Sequence, residues 1–165
     1  MIESPALNLL ILALVTLQRL GELWLARRNT RRLLAQGATE HASGHYPLIV
    51  AVHALWLATL WWLGLARPVD GFWLALFVIV EIARIWVLAS LGPRWTTRII
   101  VLPETPLVRR GPYRLVNHPN YVVVVAEIAV LPLVFGLWQV ALVFSALNAA
   151  VLAIRVRAEN TALGR

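Results

Sequence analysis

Five stretches of about 20 mostly apolar residues constrain this chain most, because a helix of that length, rising 1.5 Å per residue, crosses a hydrocarbon core of roughly 30 Å. They run from about Ala6 to Ala26, Tyr46 to Ala66, Gly71 to Leu91, Pro119 to Phe135 and Trp138 to Ile154. Only Gly136-Leu137 joins the last two, which therefore read as a helical hairpin whose first arm Pro132 bends or ends early. With 60% hydrophobic and 14% charged residues and a mean hydropathy of +0.74, the chain is well above the roughly 45–50% apolar content of a soluble domain. The expected architecture is all-α: an integral-membrane helical bundle of about five spans, forming a single domain over residues 1–165, with one long cytoplasmic loop. The opening Met1-Ile2-Glu3-Ser4-Pro5 has no basic region and no small-residue cleavage site follows the apolar run, so the first span is expected to be retained.

The net charge of +7 and isoelectric point near 11.4 would suggest nucleic acid as the partner of a soluble chain. Here the charge follows the spans instead. All 15 basic residues are Arg. Most fall in three groups: Arg27, Arg28, Arg31 and Arg32; Arg94, Arg98, Arg109, Arg110 and Arg114; and Arg155, Arg157 and Arg165. The positive-inside rule puts these in the cytoplasm, which places the N-terminus outside and the C-terminus inside, with no nucleic-acid partner. Trp61, Trp62, Trp73 and Trp138 then mark the external interface, and Trp24, Trp86 and Trp95 the internal one. With no cysteine there is no disulfide, thiolate metal site or cysteine nucleophile. His41 and His45 are spaced as a ligand pair, but the intervening Ala42-Ser43-Gly44 reads as loop and no third ligand is evident, so no metal is expected.

Chemistry is expected where the loop from Gly92 to His118 turns into the fourth span. At that length the loop is more than a connector, and it holds five Arg residues together with Trp95, Glu104, Tyr113 and His118. Gly111-Pro112 forces an extended turn, and Pro119 suits the first turn of a helix starting near His118. The N–H groups of that first turn lack intrahelical acceptors and carry the positive end of the dipole, making a small anion-attracting site flanked by Tyr113, Arg114, His118 and Tyr121. In the fifth span, Asn148, Arg155 and Glu159 fall within about 40° of one face at 100° per residue, a polar stripe on an apolar helix. The plain alternative for Arg155 and Glu159 is an ordinary pair one turn apart, contributing about 0.3–0.5 kcal/mol.

Ionisable residues inside spans are costly and need partners or water. Arg19 with Glu22, and Glu81 with Arg84, are spaced to neutralise themselves and read as braces. Glu127 has no basic neighbour in register on its own helix, which leaves two readings: lining a tunnel for the acceptor, or pairing with an Arg of another span. His53 is the other intramembrane group that needs a partner.

Leu107 to Glu127, with Gly111-Pro112-Tyr113-Arg114 followed by His118-Pro119-Asn120-Tyr121, resembles the Gly-Pro-Tyr-Arg-x-x-Arg-His-Pro-x-Tyr signature of the isoprenylcysteine carboxyl methyltransferase family. The tail Arg155-Val156-Arg157-Ala158-Glu159-Asn160 is similar to that family's closing Arg-x-x-x-Glu-Glu, and Gln18 to Glu22, Ala26 to Asn29, Gly37 to Glu40 and His45 to Pro47 resemble a bacterial branch. Asn117 and Asn160 stand where the family has Arg and Glu. The resemblance implies an S-adenosylmethionine-dependent O-methyltransferase of the bacterial cytoplasmic membrane whose acceptor is a lipophilic carboxylate or hydroxyl arriving from the bilayer. It implies a cofactor motif at Tyr113, His118, Pro119 and Tyr121 and an acceptor-site pair at Arg155 and Glu159; Val108, Gly111, Arg114 and Asn148 are further cofactor candidates around them, and Glu127, from its unpaired place in the span, is a further catalytic candidate. In-line methyl transfer needs positioning and water exclusion rather than a metal, and an Arg clamp beside a carboxylate suits it. The chain has no G-x-G turn, so a nucleotide must bind by another route. The competing expectations are a nicotinamide-dependent membrane reductase of an isoprenoid or steroid, and a non-catalytic lipid-binding or assembly protein.

Overall fold

The computed structural model describes residues 2–42, 44, 46–103 and 105–162. Glu104, Arg165 and the proposed pairing partner His45 lie outside them. Among the described residues there are five α-helices, α1 (Pro5–Ala35), α2 (Tyr46–Gly64), α3 (Gly71–Leu91), α4 (Pro119–Val134) and α5 (Trp138–Ala162), and two short strands, β1 (Thr39–His41) and β2 (Ile99–Val101). This is the helical membrane bundle the apolar stretches call for, and the protein is a multi-pass membrane protein. Four helices, α1, α2, α3 and α5, are long and apolar enough to cross a membrane.

The fourth expected span is the exception. α4 has 16 residues, about 24 Å at 1.5 Å per residue, which falls short of a full crossing. Pro132 lies in its last turn, and Gly136, at φ +67°, turns the chain directly into α5. Glu127, Ile128, Val130, Leu131 and Val134 of α4 are buried, so this helix is a wedge packed between α3 and α5.

Helix starts follow local chemistry. Ser4 caps α1 and Asp70 caps α3, its carboxylate accepting from Phe72 N at 2.9 Å and Trp73 N at 3.2 Å. α1 continues past its expected end at Ala26 to Ala35, carrying Arg27, Arg28, Arg31 and Arg32 on an exposed extension. At the opposite end of the bundle, buried Asn8 donates to the carbonyls of Gly64, Leu65 and Arg67 at 2.8, 3.1 and 2.7 Å and fixes the turn after α2. The core joins Leu12 and Val15 of α1, Trp56 and Leu60 of α2, Phe77 of α3, Ile128 and Leu131 of α4 and Phe144 of α5.

The buried ionic residues pair differently from their spacing. Arg19 meets Glu22 at 3.0 Å within α1 as expected. Arg84, however, leaves Glu81 and reaches across the bundle: its Nε and Nη2 each lie 2.5 Å from Glu22, and its Nη1 lies 2.5 Å from Glu127. Glu127 also accepts from Arg19 at 2.8 Å, and Gln18 Nε2 donates to Glu81 at 2.5 Å. Two guanidiniums and three carboxylates from α1, α3 and α4 thus form one network, in which Arg84 satisfies Nε, Nη1 and Nη2 at once, as a single neighbour one turn away could not.

Candidate active site

Residues 92–103 and 105–118 are held by anchors at several points. Asn29 of α1 is buried and its amide donates to the carbonyl of Trp95 at 2.8 Å and that of Gly92 at 3.4 Å. β2 pairs antiparallel with β1, bringing His41 opposite Ile99, and Arg98 Nη1 meets Glu40 at 2.7 Å. Trp95 is buried under this loop rather than standing in an interfacial belt, whereas Trp24, Trp62, Trp86 and Trp138 are exposed. Gly111 sits at φ +55° against α3, where a Cβ would collide with Ser90 Oγ and approach Trp86 Nε1 at 3.1 Å. Only glycine allows the chain to lie this close in that conformation.

Two cavities open around the start of α4. The first, of about 190 Å³, lies under the loop and is bordered by Arg94, Arg98, Val108, Tyr113, His118 and Glu159 among others. The second, of about 320 Å³, lies between α1, α2 and α5 and is bordered by apolar residues such as Leu20, Ile49, Leu57, Val151 and Leu152, together with Arg19, Glu22, His53, Arg84 and Asn148. Trp95, Thr96, Asn120, Tyr121 and Arg155 border both.

At the junction, Arg155 Nε donates to Tyr121 Oη at 2.8 Å, and the Tyr121 hydroxyl in turn donates to Glu159 Oε2. Arg155 and Glu159 are therefore joined through a phenol from another helix. The Arg155 guanidinium also lies 5.6 Å from the Tyr121 ring centroid. His118 stacks on that ring, centroids 5.3 Å apart and planes inclined by 17°. Its Nε2 is 3.0 Å from Asn160 Oδ1 and its Nδ1 3.8 Å from Glu159 Oε1. His118 provides no side-chain cap for α4, and His118, Asn120 and Tyr121 of its first turn border the loop-side cavity.

The expected cofactor residues divide. Val108, Tyr113, His118 and Tyr121 border the loop-side cavity. Gly111 and Pro119 shape the backbone around it, Arg114 is exposed, and Asn148 borders the apolar cavity instead. Among the acceptor residues, Arg155 borders both cavities and Glu159 the loop-side one. Glu127, 2% exposed, lies behind the wall of the apolar cavity, held by Arg19 and Arg84. Sequence reasoning missed Asn120 at the junction and the anchor Asn29. No signal marked either one: Asn29 stands among Arg27, Arg28, Arg31 and Arg32, and Asn120 is half-buried at the position between Pro119 and Tyr121.

The arrangement suits a polar ligand under the loop. Tyr113 Oη is buried against that cavity and finds no hydrogen-bond partner among the described residues. Burial, reinforced by the charge of Glu159, pushes the Tyr113 phenol above its ordinary range and keeps it a neutral donor. A ligand bearing an acceptor group there would complete it.

Residues 73–165, running from early α3 through the loop and both hairpin helices, match the model of the isoprenylcysteine carboxyl methyltransferase family. The chain belongs to this family. The match contains the whole loop, the His118-to-Tyr121 motif, Arg155 and Glu159. It is also 38% identical to an uncharacterized protein, YpbQ, of Bacillus subtilis, over 93% of this chain and 95% of that one. An uncharacterized protein of Haemophilus influenzae is 26% identical over 88% of each chain. No solved structure matches it. Family membership makes the protein a membrane methyltransferase, with the motif residues at the meeting point of two cavities of contrasting polarity.

Proposed function

We propose that this methyltransferase moves a methyl group from S-adenosylmethionine to a hydroxyl oxygen of a lipophilic acceptor that enters the apolar cavity from the bilayer. The observation that carries the reading is the meeting of the two cavities at Tyr121 and Arg155. A polar, charged pocket on one side suits a zwitterionic nucleoside, and an apolar one on the other suits a lipid. The arginine-rich end of the bundle would face the cytoplasm, where the cofactor is made, with the N-terminus outside in a bacterial cytoplasmic membrane.

When bound, S-adenosylmethionine supplies an electrophilic methyl group. Tyr113, His118 and the start of α4 would hold it, the orphaned Tyr113 hydroxyl and the positive helix end giving it donors. Arg155 reaches the apolar cavity from the shared wall and would orient the acceptor oxygen. A lipid acceptor filling the apolar part of the cavity would keep water from the junction, which strengthens each of these contacts.

A thermal-shift panel on the purified protein tests the reading. S-adenosylhomocysteine should raise Tm in a concentration-dependent way while reduced nicotinamide dinucleotides do not. Stabilisation by the nicotinamide alone would assign the site to a reductase, and stabilisation by neither would remove the cofactor from this pocket.

A further inference from the structure

The two cavities share Tyr121 and Arg155 but not Glu159, which borders only the loop-side one. A carboxylate in that position cannot meet an acceptor hydroxyl held in the apolar cavity without an intermediary. The Tyr121 hydroxyl is that intermediary by position: it donates to Glu159 Oε2 on one side and receives Arg155 Nε at 2.8 Å on the other. We propose that Tyr121, beyond any contact with the cofactor, is the proton conduit of the reaction, passing the acceptor's hydroxyl proton through its own phenol oxygen to Glu159.

The proposal rests on the methyl-transfer reading and balances as follows. The acceptor oxygen forms a bond to the methyl carbon as the carbon–sulfur bond breaks, with that electron pair remaining on sulfur. The acceptor's proton moves to Tyr121 Oη while the proton already there moves to Glu159 Oε2. The sulfonium charge and the carboxylate charge disappear together, so no net charge is created in the bilayer. Arg155 steadies the phenol oxygen while it exchanges protons, since an N–H from a fixed cation favours partial negative charge there. Glu159 is well placed to release the proton afterwards, because its side chain is 26% exposed beside the loop.

His118 stacks on the Tyr121 ring from the start of α4 and bonds Asn160, and Tyr113 faces Glu159's cavity from the loop, as do Arg94 and Arg98. From α1 to α3, Arg19, Glu22, His53, Arg84 and Tyr46 also border the apolar cavity. Both Glu22 oxygens are taken by Arg84 and Arg19, His53 Nδ1 is bonded to the Ile49 carbonyl at 2.8 Å, and Tyr46 Oη lies 3.0 Å from Thr97 Oγ1.

The test compares Tyr121→Phe, Glu159→Gln and the double variant in proteoliposomes, with a long-chain alkylphenol as acceptor probe and S-adenosylhomocysteine as binding probe. Tyr121→Phe retains the ring that packs on His118, so it should keep the wild-type thermal shift with S-adenosylhomocysteine while turnover near neutral pH falls at least tenfold. Raising the pH should recover much of the loss in both single variants, because the phenol then ionises without help. The double variant should be no slower than the slower single one, as expected of residues acting as a unit. Losses that are multiplicative and independent of pH would overturn the conduit and leave Tyr121 a positioning residue. Loss of the thermal shift in Tyr121→Phe would overturn it in favour of a cofactor contact, and loss in the wild type takes down the methyl-transfer reading and the conduit together. If Tyr121→Phe melts early, Glu159→Gln alone carries the test, a flat pH response counting against the proposal.

Discussion

Arg84 of α3 places its Nη1 2.5 Å from Glu127 Oε2 of α4, with Arg84 4% and Glu127 2% exposed. This contact ties the short wedge helix to a full span. Removing one member of such a pair leaves the other charge buried and uncompensated, at a cost of about 3–5 kcal/mol. Arg84→Gln and Glu127→Gln should therefore each lower stability by that order, measured by detergent-based unfolding. A double variant should lose less than the two single losses together, since the partners share one interaction.

Arg155 and Glu159 carry a different expectation. Arg155→Lys keeps the charge and loses the planar fork, and Glu159→Gln keeps the shape and loses the base. Each should reduce methyl transfer at least tenfold, equivalent to about 1.4 kcal/mol of transition-state stabilisation, with little change in melting temperature. Near-normal turnover in both would return them to an ordinary pair at a helix end.

Tyr113→Phe removes a buried hydroxyl that has no partner among the described residues. Without ligand, stability should hold or rise slightly, because an unsatisfied buried donor costs free energy. Affinity for S-adenosylhomocysteine, read by calorimetry, should fall several-fold. The raised phenol also has a pH signature: the folded state favours the neutral form, so its contribution is intact below the ordinary phenol range near 10 and is lost as pH climbs from there through the raised folded value. The variant should blunt that alkaline loss.

Gly111→Ala should undo the docking of the loop on α3. A left-handed residue with a side chain costs about 1–2 kcal/mol, and here the added carbon also meets Ser90 and Trp86. Reduced cofactor affinity with a protease-sensitive 92–118 segment is the expected result, whereas wild-type protection from proteolysis would show that the loop is held elsewhere.

Reporter tags at the two termini should lie on opposite sides of the membrane, N-terminus outside and C-terminus in the cytoplasm. Both tags on one side would mean that α4 and α5 together make an uneven number of crossings different from the one the arginine distribution requires.

Hydropathy by itself determined the membrane bundle and the hairpin of the last two helices, because apolar length and the short Gly136-Leu137 link act locally. The motif from Gly111 to Tyr121 and the stripe of Arg155 and Glu159 were legible for a similar reason: each lies within one or two turns of chain. Only the tertiary structure decided which charges pair. Spacing joined Glu81 to Arg84, yet Arg84 binds Glu22 and Glu127 because buried forks are satisfied by whichever carboxylates packing brings near, whatever their distance in sequence. It likewise decided that Trp95 is buried, that Asn148 faces the apolar cavity rather than the loop, and that Tyr121 stands between Arg155 and Glu159. Those relations depend on how α4 sits against α5, which is set by the sum of many long-range contacts and by no single stretch of sequence.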